Sequence, residues 1–210
     1  MIRIARGPRQ GTTVAPIVAR FWDNDGVPPQ VRARHPQTLL AILGEQHPAA
    51  HDKVMASLDC GDRLAHALPV EWLPIAVDIE VIDAVARALS PGEFDALIAE
   101  RQRREMGSVL FKTFVSTITA LFGLSPATFI RHLNRGWSQI LLECGTIEVV
   151  RIEPRAGVAL LRALPAECLA SRAWIGSLVP GMRMLYELVH VAGDVTTERR
   201  GDDIELRFAW

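Results

Sequence analysis

The chain has 210 residues, 49% of them hydrophobic and 22% charged, which is ample for one folded core and argues against wholesale disorder. Its formal net charge of -1 speaks against a general binder of nucleic acid or anionic membranes, since those need a basic excess. Cys60, Cys144 and Cys168 are an odd, widely spaced set, so a secreted disulfide framework is not expected and a reducing, cytoplasmic setting is.

Arg3, Arg6 and Arg9 precede no apolar h-region, so no signal peptide is read at the N-terminus. No apolar stretch reaches the length of a membrane span. Residues 1–35 hold Gly7, Pro8, Gly11, Pro16, Gly26, Pro28 and Pro29 around an apolar island at Val14–Trp22. They are expected to form an extended or mobile arm, anchored if at all by Phe21 and Trp22, ahead of a single domain over 36–210.

Helical signals dominate from there to about residue 144. Pro36 opens a short helix through Leu39, Leu40 and Leu43, which Gly44 stops, and a second runs from His51 to Leu58. Trp72, Ile75, Ile79, Ile82, Ala86 and Leu89 recur in steps of three and four, with Asp78, Glu80, Asp83 and Arg87 placed off that stripe. Ser90-Pro91-Gly92-Glu93 is a capping box with proline at the first helical position. The helix it starts ends in the polar run Glu100–Glu105, read as an exposed, salt-bridged end. Residues 108–122 form a central helix with Leu110, Phe111, Phe114, Val115, Ile118, Leu121 and Phe122 on its apolar face. Ser125-Pro126 opens another, expected to continue to Cys144 through Phe129, Ile130, Leu133, Trp137, Ile140 and Leu141.

After Gly145 the period changes. Thr146–Glu153, a turn at 154–157 and Val158–Leu164 read as a hairpin. A helix follows over 171–191, kinked or split at Pro180-Gly181. A last hairpin ends in Ile204, Leu206, Phe208 and Trp210, facing opposite to Asp203, Glu205 and Arg207. The fold class is therefore α+β, with the helical N-terminal two-thirds packed on a four-stranded antiparallel sheet built from a C-terminal hairpin–helix–hairpin.

Chemistry-bearing constellations are incomplete. His47 and His51 stand four apart near Asp52 and Cys60, but Pro48 intervenes and no second ligand pair follows, so no metal site is assigned. Asp78, Glu80 and Asp83 read as a solvated helix face, with no case for paired acid–base carboxylates. Ser108 sits in no nucleophile elbow, and no phosphate loop is present. The lone Tyr186 and the cysteines read as core. No catalytic residue, metal or cofactor is assigned.

The helix carrying Leu133-Asn134-Arg135-Gly136-Trp137, followed by hairpin–helix–hairpin, resembles the haem NO/oxygen-binding domain and its relatives. Those are the four-vinyl-reductase-type ligand domains and the Bet-type subunits of the TRAPP tethering complex. Leu68-Pro69-Val70-Glu71-Trp72, the Phe111–Gly123 helix, the strand pair after Gly145 and the aromatic end of the last strand resemble a bacterial family of unknown function expanded in myxobacteria. The resemblance spans about residues 68–210. In the haem domains a histidine after a Leu-Asn pair ligates the iron, and a Tyr-x-Ser-x-Arg motif clamps the propionates. Here Trp137 stands at the ligand position, His132 lies five residues earlier and is expected to point off that face, and the second strand offers only Arg162. The resemblance thus implies the fold without haem, with Trp137 as a structural plug in the porphyrin's place.

Two functional readings follow. The first is a non-enzymatic regulatory or scaffold module that binds a protein partner or itself, with no nucleic acid and no membrane span. The second is a sensor of a small apolar ligand, with a pocket at Phe111, Phe114, Ile118 and Trp137 between helices and sheet.

Overall fold

The computed structural model describes residues 26–107, 112–113, 116–117, 119–120, 123 and 125–210. Residues 1–25 of the expected arm over 1–35 lie outside them, as does the whole expected apolar face of the central helix over 108–122. The body begins at Gln30, inside the stretch read as arm. Strand β1 (Gln30–Arg32) pairs antiparallel with β2 (Trp72–Pro74) and with β3 (Leu141–Leu142), in the order β2-β1-β3. Val31 and Ala33 are fully buried, so this segment is part of the core.

Helix α1 (Arg34–Gln46) then runs into α2 (Pro48–Ser57), which starts on its proline, and a short α3 (Gly61–His66) follows. Helix α4 (Ile75–Ala88) buries Ile75 and Ile82 of the expected stripe, leaves Ile79 and Ala86 half-buried and buries Val77, Val81 and Val85 instead. It begins at Ile75 because Trp72–Pro74 is taken into the small sheet. Helix α5 (Pro91–Met106) has both halves of the capping box: Ser90 Oγ accepts from the Glu93 amide, and Glu93 accepts from the Ser90 amide at 2.9 Å. It packs between α1 and the long C-terminal helix.

The helix expected over 125–144 is broken. Ser125 caps α6 (Pro126–Arg131), and the chain leaves helical geometry at His132 (φ -105°, ψ 6°) before α7 (Leu133–Ile140). Leu141 is then recruited by β1, which ends α7 four residues early. Strand pairing with a distant segment is what the local period could not register.

Gly145 turns the chain into the large sheet at φ +78°, and a Cβ there would stand 2.3 Å from the Arg162 carbonyl oxygen. Glycine is required on both counts. Strands β4 (Thr146–Glu153), β5 (Ala156–Arg162), β6 (Asp194–Arg200) and β7 (Asp203–Ala209) form the expected four-stranded antiparallel sheet, ordered β4-β5-β7-β6. Ile204, Leu206 and Phe208 face inward as the alternation requires. Between the hairpins lie α8 (Ala166–Ala170) and α9 (Arg172–Val189). Helix α9 continues through Pro180 and is not split there, with side-chain-free Gly176 one turn earlier. It packs on α4, α5 and β6, and Tyr186 donates to the Asp194 carbonyl at 3.0 Å. The α+β layout is thus the one the chain's periodicities prescribe, with a second small sheet added.

Candidate functional site

A polar cluster sits where an apolar stripe should be. On α4, Asp78 follows Ile75 by three and precedes Ile82 by four, so it shares their buried face and is 0% exposed. On α5, Arg101 and Glu105 continue the face of Phe94, Leu97 and Ile98 in the same way, and both are buried. This corrects the reading of Asp78 as solvated and of Glu100–Glu105 as wholly exposed. The remainder of that run does bridge at the surface: Arg103 meets Glu100 and Glu187, and Arg104 meets Glu45 and Glu100. Glu80 and Asp83 are not a solvated face either. Glu80 accepts from the Asp59 and Cys60 amides at the start of α3, and Asp83 accepts from Ser171 Oγ at 2.6 Å.

Within the cluster, Trp174 of α9 donates its indole N–H to Asp78 Oδ2 at 2.9 Å. Arg101 Nη1 faces Asp78 Oδ1 at 3.9 Å, beyond hydrogen-bond reach. His35 Nδ1, at the start of α1, lies 2.5 Å from Glu105 Oε1. Asp78 Oδ1, Glu105 Oε2, and Nε and Nη1 of Arg101 are buried without a hydrogen-bond partner among the described residues. Buried charges are normally paired and fully hydrogen-bonded, so this cluster is conspicuously unfinished.

It forms one wall of a cavity of about 110 Å³. His35, Asp78 and Arg101 supply that wall, while Phe129, Leu133, Trp137, Ile140, Leu178 and Leu185 supply an apolar surround, with His132 and Ser177 at its border. Of the four residues expected to line a pocket, Trp137 does so; Phe111, Phe114 and Ile118 lie outside the described residues. Trp137 is half-buried, donates to the Cys144 carbonyl at 3.1 Å, and stands edge-on to Trp174 with ring centres 6.1 Å apart. His132 is among the residues that line the cavity. The expected five-residue rotation assumed a continuous helix, and the helix breaks at His132 itself.

The residues present do not fit a porphyrin. Two imidazoles, His35 and His132, reach the cavity wall, so a nitrogen donor is not what is lacking. Room is lacking: 110 Å³ is of the same order as the ~150 Å³ that holds a single benzene, and a porphyrin is several times larger. The Trp137–Trp174 pair takes up one side of it. Arg162, the one residue carried over from the propionate clamp, lies on the sheet surface, 3.1 Å from Glu148 and 3.8 Å from Asp203.

Other candidates give no reactive group. His51 Nδ1 faces Asp52 at 3.5 Å, and the described residues hold no cluster of three or more His, Cys, Asp or Glu placed to bind a metal. All three cysteines are buried and unpaired. Burial, helped by Glu80, pushes the Cys60 thiol up to about 11; burial pushes Cys144 up to about 12 and raises Cys168 as well. Because the thiolate is the nucleophile, iodoacetamide is expected to label the native protein at neutral pH at least ~100-fold more slowly than the denatured chain. The native rate should keep climbing with pH well past the ~8.5 of a free thiol. Mass spectrometry of timed samples checks this; native labelling as fast as denatured would contradict it.

No helix among the described residues is long and apolar enough to cross a membrane. No protein-family model and no curated sequence matches the chain. Solved structures do. The Fe(II) unliganded H-NOX protein of K. algicida is similar over 85% of this chain and 95% of its own, at a TM-score of 0.62 and 9% identity. A point mutant of that protein gives the same TM-score and coverage at 11% identity. A point mutant of T. tengcongensis H-NOX is similar over 85% of this chain and 96% of its own, at a TM-score of 0.53 and 12% identity. At such identities the likeness is one of backbone alone, and the backbone of this chain is an H-NOX-like fold.

Proposed function

We propose that this chain is a non-enzymatic, cytoplasmic small-molecule sensor domain, whose ligand enters the cavity between α4, α5, α7 and α9 and is not haem. The observation that carries this reading is Arg101, 4% exposed, whose buried Nε and Nη1 have no hydrogen-bond partner among the described residues, on the polar wall of a mostly apolar cavity. A protein core tolerates such a group when something else completes it. Small-molecule sites combine apolar walls with a few convergent polar groups, as this cavity does. Partner binding, the first reading on sequence, becomes the output of the sensor. Leu68 and Val70, 66% and 67% exposed on the loop before β2, are the residues that favour a protein contact there.

A panel of ring compounds of about benzene size, screened by saturation-transfer NMR, tests the reading. Hits are expected to vanish in Gly181→Leu. Gly181 lines the cavity and a Cβ there meets nothing within 4 Å, so the leucine can grow into the space. A panel without any hit that Gly181→Leu removes would contradict the proposal.

A further inference from the structure

The unfinished pair specifies its occupant. Asp78 and Arg101 are both more than nine-tenths buried, and together they already balance in charge. A further anion would sit beside the Asp78 and Glu105 carboxylates, and a further cation beside Arg101, so burial favours a neutral guest. What the pair lacks is hydrogen bonds of opposite kinds. Nη1 and Nε of Arg101 need an acceptor, and Asp78 Oδ1, 3.9 Å from Nη1, needs a donor. Asp78 Oδ2 is already taken by Trp174. An acceptor and a donor side by side on a neutral molecule are the edge of a cis amide, as in a lactam, an imide or a pyridone.

Resting on the reading of the cavity as a ligand site, we propose that it binds a neutral ring compound of about benzene size. Its C=O accepts from Arg101 while the adjacent N–H donates to Asp78 Oδ1. The ring body lies against Phe129, Trp137 and Leu178, and the 110 Å³ of the cavity sets its size. Recognition is steep because an analogue without either group leaves a buried charge unmet.

Calorimetric titration of the full chain with 2-pyrrolidone, butyrate and benzene, three probes of equal heavy-atom count, tests this. 2-Pyrrolidone is expected to bind at least ~10-fold tighter than either of the others, since one charge-assisted bond gained or lost is worth about that factor. N-methyl-2-pyrrolidone, which cannot donate to Asp78, should lose at least ~10-fold. In Asp78→Asn an oxygen remains for Trp174 but Arg101 is left uncompensated, so butyrate should overtake 2-pyrrolidone. Benzene equal to 2-pyrrolidone, or the N-methyl analogue equal to its parent, means that water alone completes the pair; the ligand class then falls while the cavity reading stands. Butyrate binding tightest to the unsubstituted protein overturns the proposal in favour of an oxyanion receptor. Saturable binding by none of the three overturns the cavity reading, and this inference with it.

Discussion

Replacing Trp174 with Ala is expected to lower the unfolding free energy by about 4–5 kcal/mol, the upper end of the range for a large buried ring. Two losses combine. The ring is 2% exposed at the junction of α4, α5 and α9, so its removal leaves a cavity that neighbours refill only in part. Its N–H is also the one hydrogen bond on Asp78 Oδ2 among the described residues, and a buried carboxylate oxygen stripped of its donor carries a desolvation penalty. Trp137→Ala should cost distinctly less, about 2 kcal/mol, because Trp137 is half-buried and its partner is the Cys144 carbonyl. Urea melts of both variants beside the unsubstituted protein check the order. Equal costs, or a larger one for Trp137, would mean that the structural plug sits on α7, as the sequence suggests, and not on α9.

The Asp78–Arg101 pair predicts an inverted double substitution. Arg101→Met is expected to cost about 3–5 kcal/mol, since it abandons a buried carboxylate. Adding Asp78→Asn should recover most of that, bringing the double variant to within about 1 kcal/mol of the unsubstituted protein, because Asn keeps an acceptor for Trp174 and the charge is gone. A pair worth so little to folding is present for another reason, and ligand recognition is the one argued above. The same urea melts decide it. A double variant as unstable as the sum of its single substitutions would make the pair a structural element of the fold and remove the energetic argument for a site.

The sequence makes most of this architecture legible and conceals most of the site, for one physical reason each. The capping box at Ser90 and the alternation of Ile204, Leu206 and Phe208 are local signals with a single structural meaning, and α5 and β7 follow from them. Strands of three, three and two residues have no period to read, so β1, β2 and β3 emerge only when distant segments meet. The burial of Val31 and Ala33 and the end of α7 at Ile140 go with that same small sheet. As for the site, Asp78, Arg101 and Glu105 read as solvated because charged residues usually belong at the surface. Their spacing says otherwise. Asp78 is three from Ile75 and four from Ile82, and Arg101 is four from Leu97 and three from Ile98, positions inside the apolar stripes. A charge that keeps step with a buried face is the signal that could have found the cavity. His35 and Trp174 have no such mark, since they join the cluster through tertiary packing alone.

An H-NOX-like backbone whose cavity excludes porphyrin is the centre of this account, and adding hemin to the purified protein tests it most directly. The account predicts a broad, non-saturating absorbance that desalting strips away, since about 110 Å³ between Trp137, Trp174 and the Arg101–Asp78 wall leaves no place for the macrocycle. A sharp Soret band that saturates at one equivalent, survives desalting and is lost in His132→Ala would contradict it.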